Sequence, residues 1–216
     1  MSSDAAAARA EMVERQLRRR GISDERVLAA MGRVPRDLFV PVSLADHAYD
    51  DGALPIGHHQ TISQPFVVAT ICSLLSLRGT ERVLDVGTGS GYQAAVLAEL
   101  AAEIVTIERI PELAAEARAR FQEAGYEDVE VHVGDGSLGV PERAPFAGIA
   151  VAAAAPRVPP ALYEQLAEGG RLVLPRGSRW GQELVLVVRK PEGPAERTSI
   201  PCRFVPLVGD EGFGHD

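Results

Sequence analysis

The segment RVLDVGTGSGY, residues 82–92, decides the fold class. Its first five residues are typical of a buried strand, and the next five include Gly87, Gly89 and Gly91. Glycines remove Cβ atoms where a backbone must turn sharply and let a ligand come close. A helix beginning at Tyr92 would place its unpaired amide groups beside that ligand. The segment therefore predicts a strand, a nucleotide-binding loop and a helix.

The glycine spacing indicates the kind of nucleotide. Tyr92 stands where the dinucleotide-binding pattern G-x-G-x-x-G requires its last glycine, so the pattern here is G-x-G-x-G. Asp85 ends the strand, and a carboxylate beside the loop favours a ligand with an ammonium group over a pyrophosphate.

Further carboxylates follow the next two predicted strands. Glu108 lies 17 positions after Gly91, where an acidic side chain can accept the ribose hydroxyls of an adenosine. Asp135, between two glycines, can accept the adenine amino group. An adenosine site with an ammonium neighbour and no phosphate clamp fits S-adenosylmethionine better than NAD.

Strands and helices alternate along the chain from residue 81. The predicted strands are 82–86, 104–107, 129–133, 146–151 and 171–174, and the predicted helices are 92–101, 111–124 and 160–167. This alternation predicts a doubly wound, Rossmann-like α/β fold with a parallel sheet and helices on both faces. Two more strands, 182–189 and about 199–207, are expected to form an antiparallel edge.

The first 80 residues form a helical extension. A helix over 4–20 is expected to stop at Gly21, and Ser23 is expected to cap a short helix after it. Residues 35–64 are rich in proline and glycine and predict a loop, after which Pro65 begins a third helix. We expect one domain, 1–216, in which 1–80 carries the active-site loop and 81–216 forms the cofactor-binding sheet.

Composition excludes several classes of protein. The 216 residues carry 22 basic and 30 acidic side chains, a formal charge of −8, which disfavours a nucleic-acid partner. Arginines 15, 18, 19 and 20 lie on the same segment as Glu11 and Glu14 and are interpreted as a solvated helix face. The sequence predicts no membrane span. Cys72 and Cys202 have no zinc or CxxC spacing, so a disulfide framework is not supported and a reducing compartment is favoured. The N-terminal residues carry charges where a secretory signal needs an apolar stretch, so a cytoplasmic location is expected.

The sequence also resembles the protein-L-isoaspartate O-methyltransferases, from about residue 12 to 212. The matching stretches are GISDERVLAAM (21–31), VPRDLFVP (34–41), LPIGHHQTISQP (54–65), VLDVGTGSGYQAAVLAEL (83–100), IER (107–109), GDG (134–136), APF (144–146), EGGRLVLP (168–175) and FVPLVG (204–209). The glycine loop is shared with most class I methyltransferases. QTISQP is much more specific.

The resemblance implies a class I methyltransferase fold and S-adenosylmethionine-dependent methylation of L-isoaspartyl carboxylates, with D-aspartyl sites as a further possibility. It implies that Ser63 is the active-site serine, and that isoaspartyl peptides and proteins are the partners. The expected substrate-binding residues are His59, Gln60 and Gln182. The expected cofactor-binding residues are Thr61, Ile62, Asp85, Gly87, Thr88, Gly89, Gly91, Glu108, Arg109, Asp135 and Gly136.

Several positions depart from the family pattern or leave two interpretations open. His59 stands where the family usually has glycine, and Ala147 and Ala152 replace a common Asp and Thr. His58 and His59 are adjacent and lack further ligands at a suitable spacing, so no metal site is expected. Trp180 either lines the substrate cleft or anchors a loop as a half-buried side chain.

Two rival functions remain. A class I methyltransferase could act on a small molecule or RNA, although an acidic chain with 5% aromatic residues fits RNA poorly. A non-catalytic adenosine-binding module is the rival from another class of protein. The intact QTISQP segment argues against it.

Overall fold

The computed structural model describes residues 3–214. Its helices are α1 (Ser3–Glu11), α2 (Glu25–Arg33), α3 (Pro65–Leu75), α4 (Tyr92–Ala98), α5 (Pro111–Ala124) and α6 (Pro160–Glu164). Its strands are β1 (Leu54–Gly57), β2 (Gln60–Ile62), β3 (Arg82–Val86), β4 (Glu103–Glu108), β5 (Glu130–Val133), β6 (Phe146–Val151), β7 (Leu166–Gly177), β8 (Gln182–Lys190) and β9 (Gly193–Cys202).

Strands β3 to β9 form a seven-stranded sheet in the order β5-β4-β3-β6-β7-β8-β9. Strands β3 to β7 are parallel to one another, and β8 pairs antiparallel with both β7 and β9. The chain order reverses between β3 and β6, which creates a crevice at the carboxyl ends of these two strands. The predicted doubly wound fold with an antiparallel edge is confirmed.

Successive strand residues point to opposite faces of the sheet and build two hydrophobic layers. The layer shared with the N-terminal helices, α3, α4 and α5 includes Val83, Ile104, Ala150, Val173 and Leu184. The opposite layer includes Leu84, Val105, Ile149, Leu172 and Val185, and it is covered by α6 and irregular segments. Because residues 12–77 share the first layer with the sheet, the extension packs directly on the core; the single-domain assignment stays a prediction.

The N-terminal helical region is less regular than predicted. After α1 the chain continues as a π-helix, Met12–Leu17, and a 3₁₀ turn, Arg18–Arg20, before Gly21 stops it with φ 97°. The predicted Ser23 cap of α2 is wrong by one residue. The Asp24 carboxylate accepts hydrogen bonds from the amides of Arg26 and Val27 and is the cap.

The arginine cluster on this helix is matched by carboxylates. Arg15 pairs with Glu11, Arg18 with Glu14 and Glu25, Arg19 with Glu14, and Arg20 with Asp51. These ion pairs agree with the interpretation as a solvated face, because the positive charges are already neutralised. Among residues 3–214, no helix is long and apolar enough to cross a membrane.

Residues 35–64 contain more structure than a loop. Two 3₁₀ segments, Arg36–Phe39 and Val42–His47, precede a hairpin in which β1 pairs antiparallel with β2. The sequence prediction missed this hairpin because its strands are only four and three residues long and its turn contains no glycine.

The last strand also differs from its prediction. Strand β9 runs from Gly193 to Cys202, whereas 199–207 was expected, because β8 turns back directly after Lys190. Residues 205–207 instead lie beside the end of β6: the Ala154 amide donates to the Val205 carbonyl and the Leu207 amide to the Ala154 carbonyl. This places the C-terminal segment over the sheet's switch point.

The hairpin turn gives the first prediction. His58 and His59 both have positive φ angles, 49° and 57°. A side chain in this left-handed region costs about 1–2 kcal/mol per residue, which explains a preference for glycine at position 59. We expect His59→Gly to raise the unfolding free energy by about 1 kcal/mol, and thus Tm by about 2–4 °C. Calorimetry measures the change.

His59→Ala is the matched control, because it removes the imidazole but keeps a Cβ in the strained conformation. It should leave Tm unchanged or lower. Equal stabilisation by both substitutions would show that the imidazole, and not the backbone conformation, destabilises the turn.

Candidate active site

One cavity lies at the switch point of the sheet. Its wall contains the ends of β3, β4 and β6 together with the β2–α3 connection and the C-terminal segment. The lining residues are Gln60, Thr61, Ile62, Ser63, Val68, Val86, Gly87, Thr88, Gly89, Ser90, Tyr92, Gln93, Ile107, Glu108, Arg109, Ile110, Gly136, Ala152, Ala153, Val205, Pro206, Leu207 and Val208. The wall thus brings together ten of the predicted site residues: Gln60, Thr61, Ile62, Ser63, Gly87, Thr88, Gly89, Glu108, Arg109 and Gly136.

The three glycines of the loop have different structural roles. Gly87 and Gly89 line the cavity with φ 89° and 51°, values that suit glycine. Gly91 is absent from the lining. It also has a positive φ, 94°, and a Cβ there would stand 2.9 Å from the Phe121 ring. Gly91 was predicted to admit the ligand, whereas the structure gives it a packing role between loop and α5.

Two backbone hydrogen bonds fix the Glu108 carboxylate at the end of β4. One carboxylate oxygen accepts from the Gly89 amide at 2.9 Å and the other from the Ile110 amide at 3.0 Å. The side chain is 5% exposed. A carboxylate has about four acceptor positions, so two remain for hydroxyl donors from the cavity.

The Gln60–Ser63 segment forms another part of the wall. Its backbone is fixed by Arg36, which is fully buried and donates to the Ser63 carbonyl at 2.8 Å and to the Ala48 carbonyl at 2.7 Å. The guanidinium also stacks over the Tyr92 ring, with 4.7 Å to the centroid. Arg36 therefore joins the serine segment to the helix that follows the glycine loop.

Asp85 lies behind the wall and does not line the cavity. Its carboxylate is completely buried and accepts from Gln93 Nε2 at 2.7 Å and Thr106 Oγ1 at 2.9 Å. Burial raises the pKa of Asp85 to about 6, although the two hydrogen bonds partly oppose the shift. The expected direct contact between Asp85 and a ligand ammonium is therefore not what this geometry provides.

This pKa shift predicts a pH dependence of stability. The folded pKa of Asp85 is raised above the 3.8 of an ordinary aspartate, so its stabilising contribution is complete below pH 3.8 and is lost as pH rises through 6. Relative to Asp85→Asn, the wild type should lose about 1.4 kcal/mol per pH unit between roughly pH 4 and 6. Urea unfolding of both ligand-free proteins measures this difference. A difference that stays constant with pH would contradict it.

The Asp135 carboxylate is also outside the cavity wall. One oxygen accepts from the amide and hydroxyl of Ser137, and the other from the Asp210 amide. Gly209 packs so closely that a Cβ there would stand 2.0 Å from this carboxylate. Asp135 thus ties down the C-terminal segment, and its neighbour Gly136 supplies the wall in its place.

Two of the three expected substrate residues lie outside the lining. Gln182 is buried, donates to the Ser178 carbonyl and accepts from the Phe204 amide, so it positions the segment leading to Val205. His59 is exposed in the hairpin turn. Within residues 3–214, no group of three metal-ligating side chains is found.

Trp180 is 85% exposed at the tip of the β7–β8 hairpin. This excludes the interpretation as a half-buried anchor. Trp180 is not in the cavity wall itself. The hairpin tip follows the carboxyl end of β7, however, so the cleft interpretation stays open.

Sequence reasoning missed several wall residues. The sequence predicted a strand over most of the apolar segment Val205–Val208 and no place in the site, and Gln93 gave no signal beyond its place after the glycine loop. Ala152, which stands where the family commonly has Thr, also lines the cavity. Its amide donates to the Val86 carbonyl at 2.8 Å, which brings it to the glycine loop.

A glycine loop, a ribose-type carboxylate and a switch-point cavity on this sheet define a class I methyltransferase fold. Solved structures agree. One described as a protein-L-isoaspartate O-methyltransferase superposes with a TM-score of 0.83 at 28% identity, covering 94% of this chain and 67% of the other. Another, a Plasmodium falciparum protein described with the same activity in complex with S-adenosyl-L-homocysteine, gives 0.79 at 25% identity, covering 93% and 98%.

The family is shown by sequence as well. The family model described as protein-L-isoaspartate(D-aspartate) O-methyltransferase matches residues 7–212. A protein-L-isoaspartate O-methyltransferase of Marinobacter nauticus is 56% identical over 207 residues, covering 95% of this chain and 94% of the relative. The chain belongs to the protein-L-isoaspartate O-methyltransferase family.

Proposed function

We propose that this protein transfers the methyl group of S-adenosylmethionine to L-isoaspartyl carboxylates of damaged peptides and proteins. The observation that carries the proposal is the shared cavity wall: Gln60–Ser63, the segment most specific to the family, lines the same cavity as the glycine loop and Glu108. A cofactor and an acceptor carboxylate would therefore meet in one place.

The wall fits S-adenosylmethionine on its own chemistry. Glu108 offers free acceptor positions for the two ribose hydroxyls, and Arg109 and Gly136 lie beside it for the adenosine. Gly87, Thr88 and Gly89 admit the remainder close to the backbone. Gln93 has a buried amide oxygen that has no hydrogen-bond partner among the described residues, so it is an acceptor available to a ligand donor. Thr61 and Ile62 line the same wall next to Ser63.

Bound S-adenosylmethionine supplies a methyl group on a positively charged sulfur, and the C–S bond breaks as the carboxylate oxygen forms the C–O bond. The acceptor carboxylate is already ionised at neutral pH, since its ordinary pKa is about 4. The protein therefore needs no strong base. Its task is to remove water from the carboxylate and to align one oxygen, which can lower the barrier by several kcal/mol.

Ser63 is the residue we assign to this alignment. Its hydroxyl can donate a hydrogen bond to the carboxylate, while Arg36 fixes its backbone. Gln60, in the same wall, is the second polar contact for the substrate. A nucleophilic serine would need a nearby base, and the histidines of the turn are exposed and lie outside the cavity wall that contains Ser63.

A paired-peptide assay tests the proposal. An isoaspartyl peptide should be methylated, and the same sequence with normal aspartate should not. In the isoaspartyl linkage the side-chain carboxyl forms the peptide bond, so the free carboxylate is the main-chain one and lies at a different position. Several unrelated isoaspartyl sequences should all be substrates. A D-aspartyl version belongs in the same series, since the family's description includes D-aspartate.

Equal methylation of the aspartyl twin would overturn the specificity. Methylation of RNA or a small molecule with none on the isoaspartyl peptide would favour the rival acceptors. Cofactor binding without transfer to any of them would favour the non-catalytic module. The cytoplasm stays the predicted location, based on two cysteines, Cys72 and Cys202, that lie unpaired.

A further inference from the structure

Gln93 occupies the first turn of α4 and belongs to the cavity wall. The side chain is 7% exposed. Its Nε2 donates to an Asp85 oxygen at 2.7 Å, whereas its Oε1 is buried without a hydrogen-bond partner among the described residues. Leaving a buried acceptor unpaired is unfavourable, so we expect a ligand in the cavity to donate a hydrogen bond to Oε1.

The orientation of the amide is set by its neighbours. The Asp85 carboxylate, when ionised, only accepts hydrogen bonds, so the amide nitrogen must face it and the oxygen must face away. The Thr106 hydroxyl lies 2.7 Å from the Thr88 hydroxyl and donates to the second Asp85 oxygen at 2.9 Å. Both Asp85 oxygens are therefore acceptors, which leaves the amide nitrogen as the only part of Gln93 that can face them. The negative charge of Asp85 thus polarises Gln93 from behind the wall.

The position of Gln93 in the cavity selects the donor. Glu108 ends β4, next to β5, and lies on the adenosine side. Gln93 contacts Asp85 of β3, which is one strand further from β5 than Glu108 is. The ligand part opposite the ribose carries one strong donor, the α-ammonium of the methionine moiety.

We propose that Gln93 Oε1 accepts a hydrogen bond from the α-ammonium of S-adenosylmethionine and of its product. Gln93 is then the residue through which the buried Asp85 acts on the cofactor, which gives the carboxylate a role without direct contact. This inference rests on the proposed function, since it deepens the description of the same site.

Calorimetric binding of two probes tests the inference without using activity. The probes are S-adenosylhomocysteine and its desamino analogue, in which hydrogen replaces the ammonium. The wild type should bind S-adenosylhomocysteine more tightly. Gln93→Met keeps the length of the side chain but has no amide, and it should weaken S-adenosylhomocysteine binding roughly 10- to 100-fold. Binding of the desamino analogue should change less than about threefold.

Asp85→Asn is a second variant of nearly identical shape, useful if Gln93→Met folds poorly. It removes the charge behind Gln93 and should also reduce the preference for the ammonium-bearing probe. A thermal melt of each variant establishes that it is folded before binding is measured.

The outcomes separate the inference from the proposed function. If Gln93→Met weakens both probes equally, or neither, Gln93 does not bind the ammonium, although the methyltransferase function stands. If the wild type binds neither probe, the cofactor assignment itself fails. Loss of the ammonium preference in both variants supports the inference.

Discussion

Replacing Ser63 with alanine is expected to lower kcat by about 10²–10³-fold, the usual effect of removing one well-placed hydrogen-bond donor. The affinity for S-adenosylhomocysteine should stay unchanged, because the adenosine contacts centre on Glu108. The backbone should also stay in place, since Arg36 holds the Ser63 carbonyl and not its side chain. Steady-state kinetics with an isoaspartyl peptide and calorimetry with S-adenosylhomocysteine measure the two effects separately.

The double variant His58→Ala, His59→Ala is the control for a different mechanism. If Ser63 were a nucleophile that carries the methyl group, it would need a base, and these histidines are the local candidates. Alignment by Ser63 predicts that the double variant keeps most of its activity, in agreement with their exposed position in the turn. Collapse of its activity with cofactor binding intact, together with a methyl group trapped on Ser63, would overturn the alignment mechanism.

Replacing Glu108 with alanine is expected to weaken S-adenosylmethionine binding by roughly tenfold to a thousandfold. Two charge-assisted hydrogen bonds to the ribose are lost, each contributing about 1.5–3 kcal/mol. The substitution also leaves the amides of Gly89 and Ile110 without their acceptor, so the loop loses part of its support. Calorimetry with S-adenosylhomocysteine measures the change in affinity.

Glu108→Gln removes only a part of each contribution. Its amide oxygen can still accept from one of the two backbone amides, but the charge and one acceptor group are gone. We expect an intermediate loss of affinity with little change in Tm. Unchanged affinity in a folded Glu108→Ala protein would remove Glu108 from the cofactor site.

The sequence was sufficient for the features that depend on neighbouring residues. Residues 82–92 form the predicted strand, loop and helix start, because β-branched residues and glycines restrict the backbone locally. The regular alternation of strands and helices was enough for the sheet, and QTISQP for the family. The errors occurred where local signals are weak: the Asp24 cap, the short hairpin β1–β2, and the start of β9.

Which side chains reach the cavity was decided only by the tertiary structure. The sequence predicted Asp85, Asp135 and Gln182 as site residues, yet all three lie outside the cavity wall. Each is hydrogen-bonded to a partner distant along the chain: Thr106, Asp210 and Phe204, respectively. Gly91 faces Phe121, 30 positions later, and the segment Val205–Val208 enters the wall by pairing beside β6. The direction of a side chain depends on strand register and on helix packing. Both are set by contacts between residues far apart in the sequence, so local patterns do not contain that information.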